Sequence, residues 1–230
     1  MPYRFLFYNQ LIYNMLQILH EDANCIIVNK PAGLPTQPDQ TNDRSALDIV
    51  ARYLGRRVWI VNRLDRPASG ALVLTKTSNS AREFSDLFLN DKVQKSYWAM
   101  VKNKPEEDSG TLIHYLKRGA KSKKSLVHSD ESNGGKKSVL TYKVLKSLEN
   151  YHLLEIELGT GRYHQIRSQL AAIGSPIKGD VKYGAKRKNQ DRSIHLHARK
   201  LVFTHPYNNE LIEIEAEVPR KDNLWQSVVS

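Results

Sequence analysis

Val58-Trp59-Ile60-Val61, Asn62-Arg63-Leu64-Asp65-Arg66-Pro67-Ala68-Ser69-Gly70 and Ala71-Leu72-Val73-Leu74-Thr75 follow one another without a gap. The outer runs are short, continuous and apolar, the composition of buried strands. Pro67 and Gly70 keep the middle stretch out of either. That middle stretch is a loop carrying Asp65 between Arg63 and Arg66. Buried strands hold such a loop rigid, which is how a fold presents a catalytic carboxylate. By spacing alone, an Arg–Asp pair there is as readily structural as catalytic.

Upstream, the apolar runs Leu16 to His20 and Cys25 to Asn29 around Glu21-Asp22-Ala23-Asn24 predict a hairpin, and Lys30-Pro31-Ala32-Gly33 predicts a turn. After a polar loop from Pro35 to Asp43, Ser45 reads as the N-cap of a helix running to Leu54 and ended by Gly55. Downstream, Ser78 reads as the cap of a helix with Ala81, Phe84, Leu87 and Phe88 on one face, and Gln94 to Val101 as a strand. Extended segments follow at Leu112 to Leu116, Ser138 to Lys146 and His152 to Leu158. Arg162 to Ile173 predicts a helix with Gly174 at its end, and His197 to Thr204 and Leu211 to Val218 predict two last strands. There is no internal repeat and no long linker. Short connections favour antiparallel pairing, so the fold class expected is α+β: one domain on a mixed, mostly antiparallel sheet with flanking helices.

The 230 residues are 40% hydrophobic and 26% charged with 12 Gly and 9 Pro, which excludes a disordered, collagenous or low-complexity chain. No apolar run approaches a bilayer span, and Asn9, Gln10 and Asn14 interrupt the N-terminal one, so no signal peptide is read and a cytoplasmic protein is expected. Cys25 is the only cysteine, which excludes a disulfide framework, a zinc ribbon and an iron–sulfur cluster, and its place in Cys-Ile-Ile-Val puts it in the core. Lys and Arg number 35 against 24 Asp and Glu, a net charge of +11. A polyanion is the natural partner, and nucleic acid ranks above a membrane because no basic amphipathic helix is evident. The excess gathers at Lys117, Arg118, Lys121, Lys123 and Lys124, and again at Lys182, Lys186, Arg187, Lys188 and Arg192. Each cluster reads either as a solvated loop or as a phosphate contact.

Walker A, G-x-G-x-x-G and G-x-S-x-G patterns are absent, which removes the usual phosphate cradles and the serine elbow. His195, His197 and His205 lie too far from any cysteine to make a persuasive metal set, so no metal is expected. Besides the Asp65 loop, what remains is Thr160-Gly161-Arg162-Tyr163-His164-Gln165-Ile166-Arg167 at the opening of a helix.

Asn62-Arg63-Leu64-Asp65-Arg66-Pro67-Ala68-Ser69-Gly70 resembles the signature H-R-L-D-x-x-T-S-G of the RluA family of pseudouridine synthases. Further blocks similar to that family stand in order: Asn29 to Leu34, Lys95 to Ala99, Thr160 to Arg167, Gly179 to Gly184 and Leu196 to Arg199. They run from about Leu16 to Pro219. Asn62 stands where the family has His and Ala68 where it has Thr. Residues 1–14 match no family block and are set apart as an N-terminal extension, leaving 15–230 as the catalytic domain. The form of the loop looks most like the tRNA-acting branch called TruC, without the accessory N-terminal RNA-binding domain of some relatives.

The resemblance implies an isomerase that converts uridine in structured RNA, tRNA or large-subunit rRNA, to pseudouridine with no cofactor and no metal. Asp65 would be the essential carboxylate, Arg167 its charge-assisted partner and Tyr97 the ring stacked on the flipped uracil. Arg63, Lys30 and Arg162 would contact the RNA. A monomer is expected. The competing readings are a non-catalytic RNA-binding protein on the same scaffold and a metal-dependent nuclease, for which no acidic ligand set is evident.

Overall fold

The strand, loop and strand read at the centre of the sequence are present, the first strand cut to two residues and the second extended. The computed structural model describes residues 16–120 and 122–229, so the expected N-terminal extension 1–14 and Lys121 lie outside the described residues. The elements in order are β1 (Gln17–Glu21), β2 (Cys25–Lys30), α1 (Ala46–Leu54), β3 (Trp59–Ile60), β4 (Ser69–Thr75), α2 (Ser78–Leu89), β5 (Gln94–Val101) and β6 (Ser109–Arg118). Then come β7 (Ser125–His128), β8 (Lys136–Ser147), β9 (His152–Leu158), α3 (Gln165–Ala172), a single 3-10 turn (Val181–Tyr183), β10 (Leu196–Thr204), β11 (Leu211–Glu215) and α4 (Asn223–Val229). The fold class is α+β with antiparallel pairing between β1 and β2, β2 and β4, β10 and β11, and throughout β5, β9, β8, β6 and β7. Two compact units divide the chain, Met1–Gln94 with Ala198–Ser230 and Lys95–His197.

In the first unit the strand order is β1-β2-β4-β10, with β3 on β4 and β11 on β10. Alternation along β2 and β4 puts Cys25, Ile27, Ala71 and Val73 on one face, where they pack with Phe84 of α2, Leu201, Phe203 and Ile214. Ile26, Val28, Leu72 and Leu74, which point the other way, are equally buried, as continuous apolar strands require. Gly70 is obligatory: its φ is +117°, and a Cβ there would sit 2.3 Å from the carbonyl oxygen of Ala198. Ser45 caps α1 as expected, and Asp48 completes a capping box by accepting the Ser45 N–H at 2.9 Å. Thr77, one residue before the expected Ser78, caps α2. At the β1–β2 turn the Asp22 carboxylate accepts the N–H groups of Asn24 at 2.6 Å and Cys25 at 2.7 Å and meets His20 Nε2 at 2.8 Å.

The second unit is an antiparallel sheet in the order β5-β9-β8-β6-β7, in which only β6–β7 and β8–β9 are consecutive neighbours, with α3 buried against it. The helix was expected from Arg162 but starts at Gln165, because His164 takes φ +53° and the Gln165 side chain accepts the Arg162 N–H at 3.0 Å. Its first six residues, Gln165 to Leu170, are all buried, so its polar members must find internal partners. Gln165 Nε2 donates to Val139 O at 3.0 Å, and Gln169 Nε2 donates to Leu112 O at 3.2 Å.

Candidate active site

The Asp65 loop is held from beneath by residues of the β2–α1 connection. The Thr36 hydroxyl accepts the Leu64 N–H at 3.2 Å and donates to the Leu64 carbonyl at 2.8 Å, fixing the residue before Asp65 on both sides. Gly33 N–H donates to Arg66 O at 2.8 Å, and Ala68 N–H to Asp65 O at 3.0 Å closes a turn around the Asp itself. Arg66 reaches back to Gly33 O at 2.9 Å and pairs with Asp39 and Asp43. At the loop's other end the Asn62 side chain accepts the N–H of Val73 at 2.8 Å, while Val61 N–H donates to Val73 O at 3.1 Å. Asn62 therefore keys the loop to β4 where the strand pairing of β3 has ended, which gives this departure from the family signature a structural task. Asp65 is partly exposed and Arg63 is exposed.

Lys30 corrects an expectation. It was placed on an RNA-lining surface, yet it is fully buried, and its Nζ donates to Ala68 O at 2.7 Å, Leu34 O at 2.8 Å and Pro31 O at 2.9 Å, with Arg66 O at 3.4 Å. These carbonyls come from both sides of the floor of the Asp65 loop and converge on one ammonium, so Lys30 clamps the loop and cannot reach RNA. Burial pushes its ammonium down to about 7, against the pull of the Asp65 charge, which favours the proton.

In the second unit Tyr97 lies mid-strand on β5, half-buried and opposite Ile156 of β9. Arg167 is 4% exposed and makes a two-pronged pair with Asp180, Nε to Oδ2 at 2.6 Å and Nη2 to Oδ1 at 2.8 Å. Asp180 is 1% exposed and the sequence reading assigned it no role, although it sits in the quoted block Gly179 to Gly184. The guanidinium also lies 5.0 Å over the Tyr183 ring, and the Tyr183 hydroxyl meets His164 Nδ1 at 2.8 Å. Arg162 is exposed at the approach to the helix. Tyr163 stacks on His164 with ring centres 3.8 Å apart, and Arg118 lies 4.6 Å over Tyr163.

The first unit thus presents one carboxylate on a braced loop, and the second an arginine locked in orientation by a buried acid. A carboxylate on a rigid loop is suited to nucleophilic or base chemistry, and an arginine held in one orientation is suited to binding an anion. A family model described as RNA pseudouridylate synthase matches residues 24–172. The ribosomal large subunit pseudouridine synthase C of Rickettsia bellii is 34% identical, with 88% of this chain and 68% of that protein covered. The tRNA pseudouridine synthase C of Vibrio parahaemolyticus is 29% identical, covering 93% of each. Among solved structures, human RNA pseudouridylate synthase domain containing 4 superposes with a TM-score of 0.76 at 24% identity, over 96% of this chain and 94% of that one, a likeness of fold. With the family model matching well over half of its length and a relative 34% identical over most of both chains, the chain belongs to the RNA pseudouridylate synthase family, in the RluA group that its Asp65 loop resembles.

Proposed function

We propose that the protein isomerises a uridine of structured RNA to pseudouridine with Asp65 as the attacking carboxylate. As Asp65 attacks C1′ the N1–C1′ bond breaks, the uracil turns, and C5 bonds to C1′ as the carboxylate leaves it; the C5 proton is lost and N1 gains one, so atoms balance with no redox step and Asp65 is regenerated. The observation that carries the reading is the bracing of the Asp65 loop: Thr36, Lys30, Gly33 and Asn62 all hold it, far more than a surface ion pair would require. In this reading Arg167 supplies a fixed positive charge to the reaction, and Tyr97 stacks on the extruded uracil and assists loss of the C5 proton. Arg63 and Arg162, both exposed, contact RNA. The chemistry uses no cofactor and no metal.

We infer a tRNA stem-loop as substrate, with large-subunit rRNA as the alternative. Relatives named for each support RNA of one of these kinds. Flipping a uridine costs a few kcal/mol of unstacking, least in a loop. Mapping pseudouridine in total RNA from cells with and without the gene tests this. Loss of one tRNA loop position supports it, and loss confined to small-subunit rRNA refutes it.

A further inference from the structure

The two basic clusters of the second unit are built differently. In the first, Lys117 Nζ donates to Asn133 O at 2.7 Å and Arg118 lies on Tyr163, so these two cations are engaged within the fold, while Lys123 and Lys124 are exposed on the turn that follows β6. In the second, Lys182 Nζ donates to Lys123 O at 2.6 Å, while Lys186, Arg187, Lys188 and Arg192 are exposed, and among the described residues their side chains make no hydrogen bond or ion pair. Like charges on adjacent residues repel, and a mobile loop would let them spread. This loop is instead pinned from inside. Asn189 Oδ1 accepts from Lys178 Nζ at 2.8 Å, while its Nδ2 contacts Ser193 O at 3.0 Å, Ser193 Oγ at 3.1 Å and His195 Nδ1 at 3.0 Å. The loop's single acid, Asp191, accepts the N–H and hydroxyl of Ser193 at 3.0 and 2.6 Å. Gly179 makes room for Asn189: its φ is +87°, and a Cβ there would lie 2.7 Å from both Asn189 Nδ2 and Ser193 O.

We propose that residues 185–193 form a preformed docking surface for the phosphate backbone of the RNA substrate, outside the reacting nucleotide. The proposal rests on the reading that the substrate is RNA. A chain of evenly repeated anions suits cations carried on consecutive residues, and holding the loop backbone in place in advance lowers the ordering cost of binding to that of the side chains alone. The loop follows directly on the turn whose Asp180 orients Arg167, and Ala185 N–H donates to Asp180 O at 3.1 Å, so RNA gripped there is gripped beside that arginine's support.

The test compares Lys186→Ala/Arg187→Ala/Lys188→Ala with Lys123→Ala/Lys124→Ala. Binding of an unmodified, fluorescently labelled tRNA transcript is titrated from 50 to 300 mM KCl, alongside steady-state pseudouridine formation. The triple variant should bind about tenfold more weakly near 150 mM salt, its log–log salt slope should fall by roughly 2 to 3, and KM should rise with kcat unchanged. The double variant should change each less. Asn189→Ala, which keeps every charge, should lose affinity as well. A triple variant with wild-type affinity and slope overturns the proposal, as does a double variant with the larger effect, and a wild-type Asn189→Ala removes its preformed character. Binding is read without turnover, so a protein that grips RNA through this loop yet forms no pseudouridine defeats the functional reading and leaves the loop assignment standing.

Discussion

Replacing Lys30 by Met tests how the Asp65 loop is held, because Met nearly fills the same volume and removes only the ammonium. Three carbonyl oxygens, of Ala68, Leu34 and Pro31, then lose donors at 2.7, 2.8 and 2.9 Å inside a site with no exposure. Leaving buried carbonyls without donors costs about 1 kcal/mol or more each, a net loss of about 3 to 4 kcal/mol where the side chain is a neutral amine; below pH 7 it is a buried ammonium that desolvation disfavours, and the loss is smaller. Urea unfolding followed by tryptophan fluorescence measures it. The loss has a pH signature. The ammonium titrates at about 7 in the fold against 10.5 when free, so the unfolded chain binds the proton more tightly and wild-type stability rises with pH across that window. Lys30→Met lacks that rise, so the gap between the two proteins should widen from pH 7 to 10. Activity should fall together with stability, since the freed carbonyls lie beneath Asp65. A variant within about 1 kcal/mol of wild type, with the same pH slope and normal turnover, would refute the clamp.

Arg167→Ala should cost about 3 to 5 kcal/mol by leaving Asp180, 1% exposed, without its two-pronged partner, and thermal unfolding beside Asp180→Asn measures this; a normal melting curve contradicts the pair's structural weight. Asp22→Asn should remove an acid-side contribution. Burial raises the Asp22 pKa, but the hydrogen bonds from Cys25, His20 and Asn24 outweigh it and hold the carboxyl at about 2, below the usual 3.8. Its contribution of about 2 kcal/mol is present above pH 3.8 and lost as the pH falls through about 2, so wild type and variant should differ at pH 6 and converge near pH 2. Equal stability at pH 6 counts against it.

The fold was legible wherever one segment carried its own signal. Ser45 with Asp48, and the apolar run of β4, needed no distant partner to be read. β7 was missed because its four residues lie in a polar stretch and owe their pairing to β6, with Ser125 N–H donating to Tyr183 Oη at 2.7 Å from far along the chain. The late start of α3 depended on Gln165 folding back on Arg162, a side-chain choice that periodicity does not report. At the candidate site, the loop setting of Asp65 was legible from the flanking apolar strands, and the exposure of Arg63 and Arg162 from their charge. Lys30 was misread because lysines are rarely buried, and its acceptors come from two separate loops. Asp180 was within reach: an acid thirteen residues after a helix arginine that is buried needs a partner, but the burial itself was invisible in the sequence.

The most direct measurement of the central claim is single-turnover pseudouridine formation by wild type and Asp65→Asn on an unmodified tRNA transcript pool, with binding measured in parallel. The substitution keeps shape and hydrogen-bonding size while removing the nucleophilic charge. Wild type should isomerise its substrate, Asp65→Asn should lose several orders of magnitude in rate, and RNA affinity should be nearly unchanged. Turnover by pure Asp65→Asn within tenfold of wild type, or no pseudouridine from wild type on any RNA it binds, would contradict that claim.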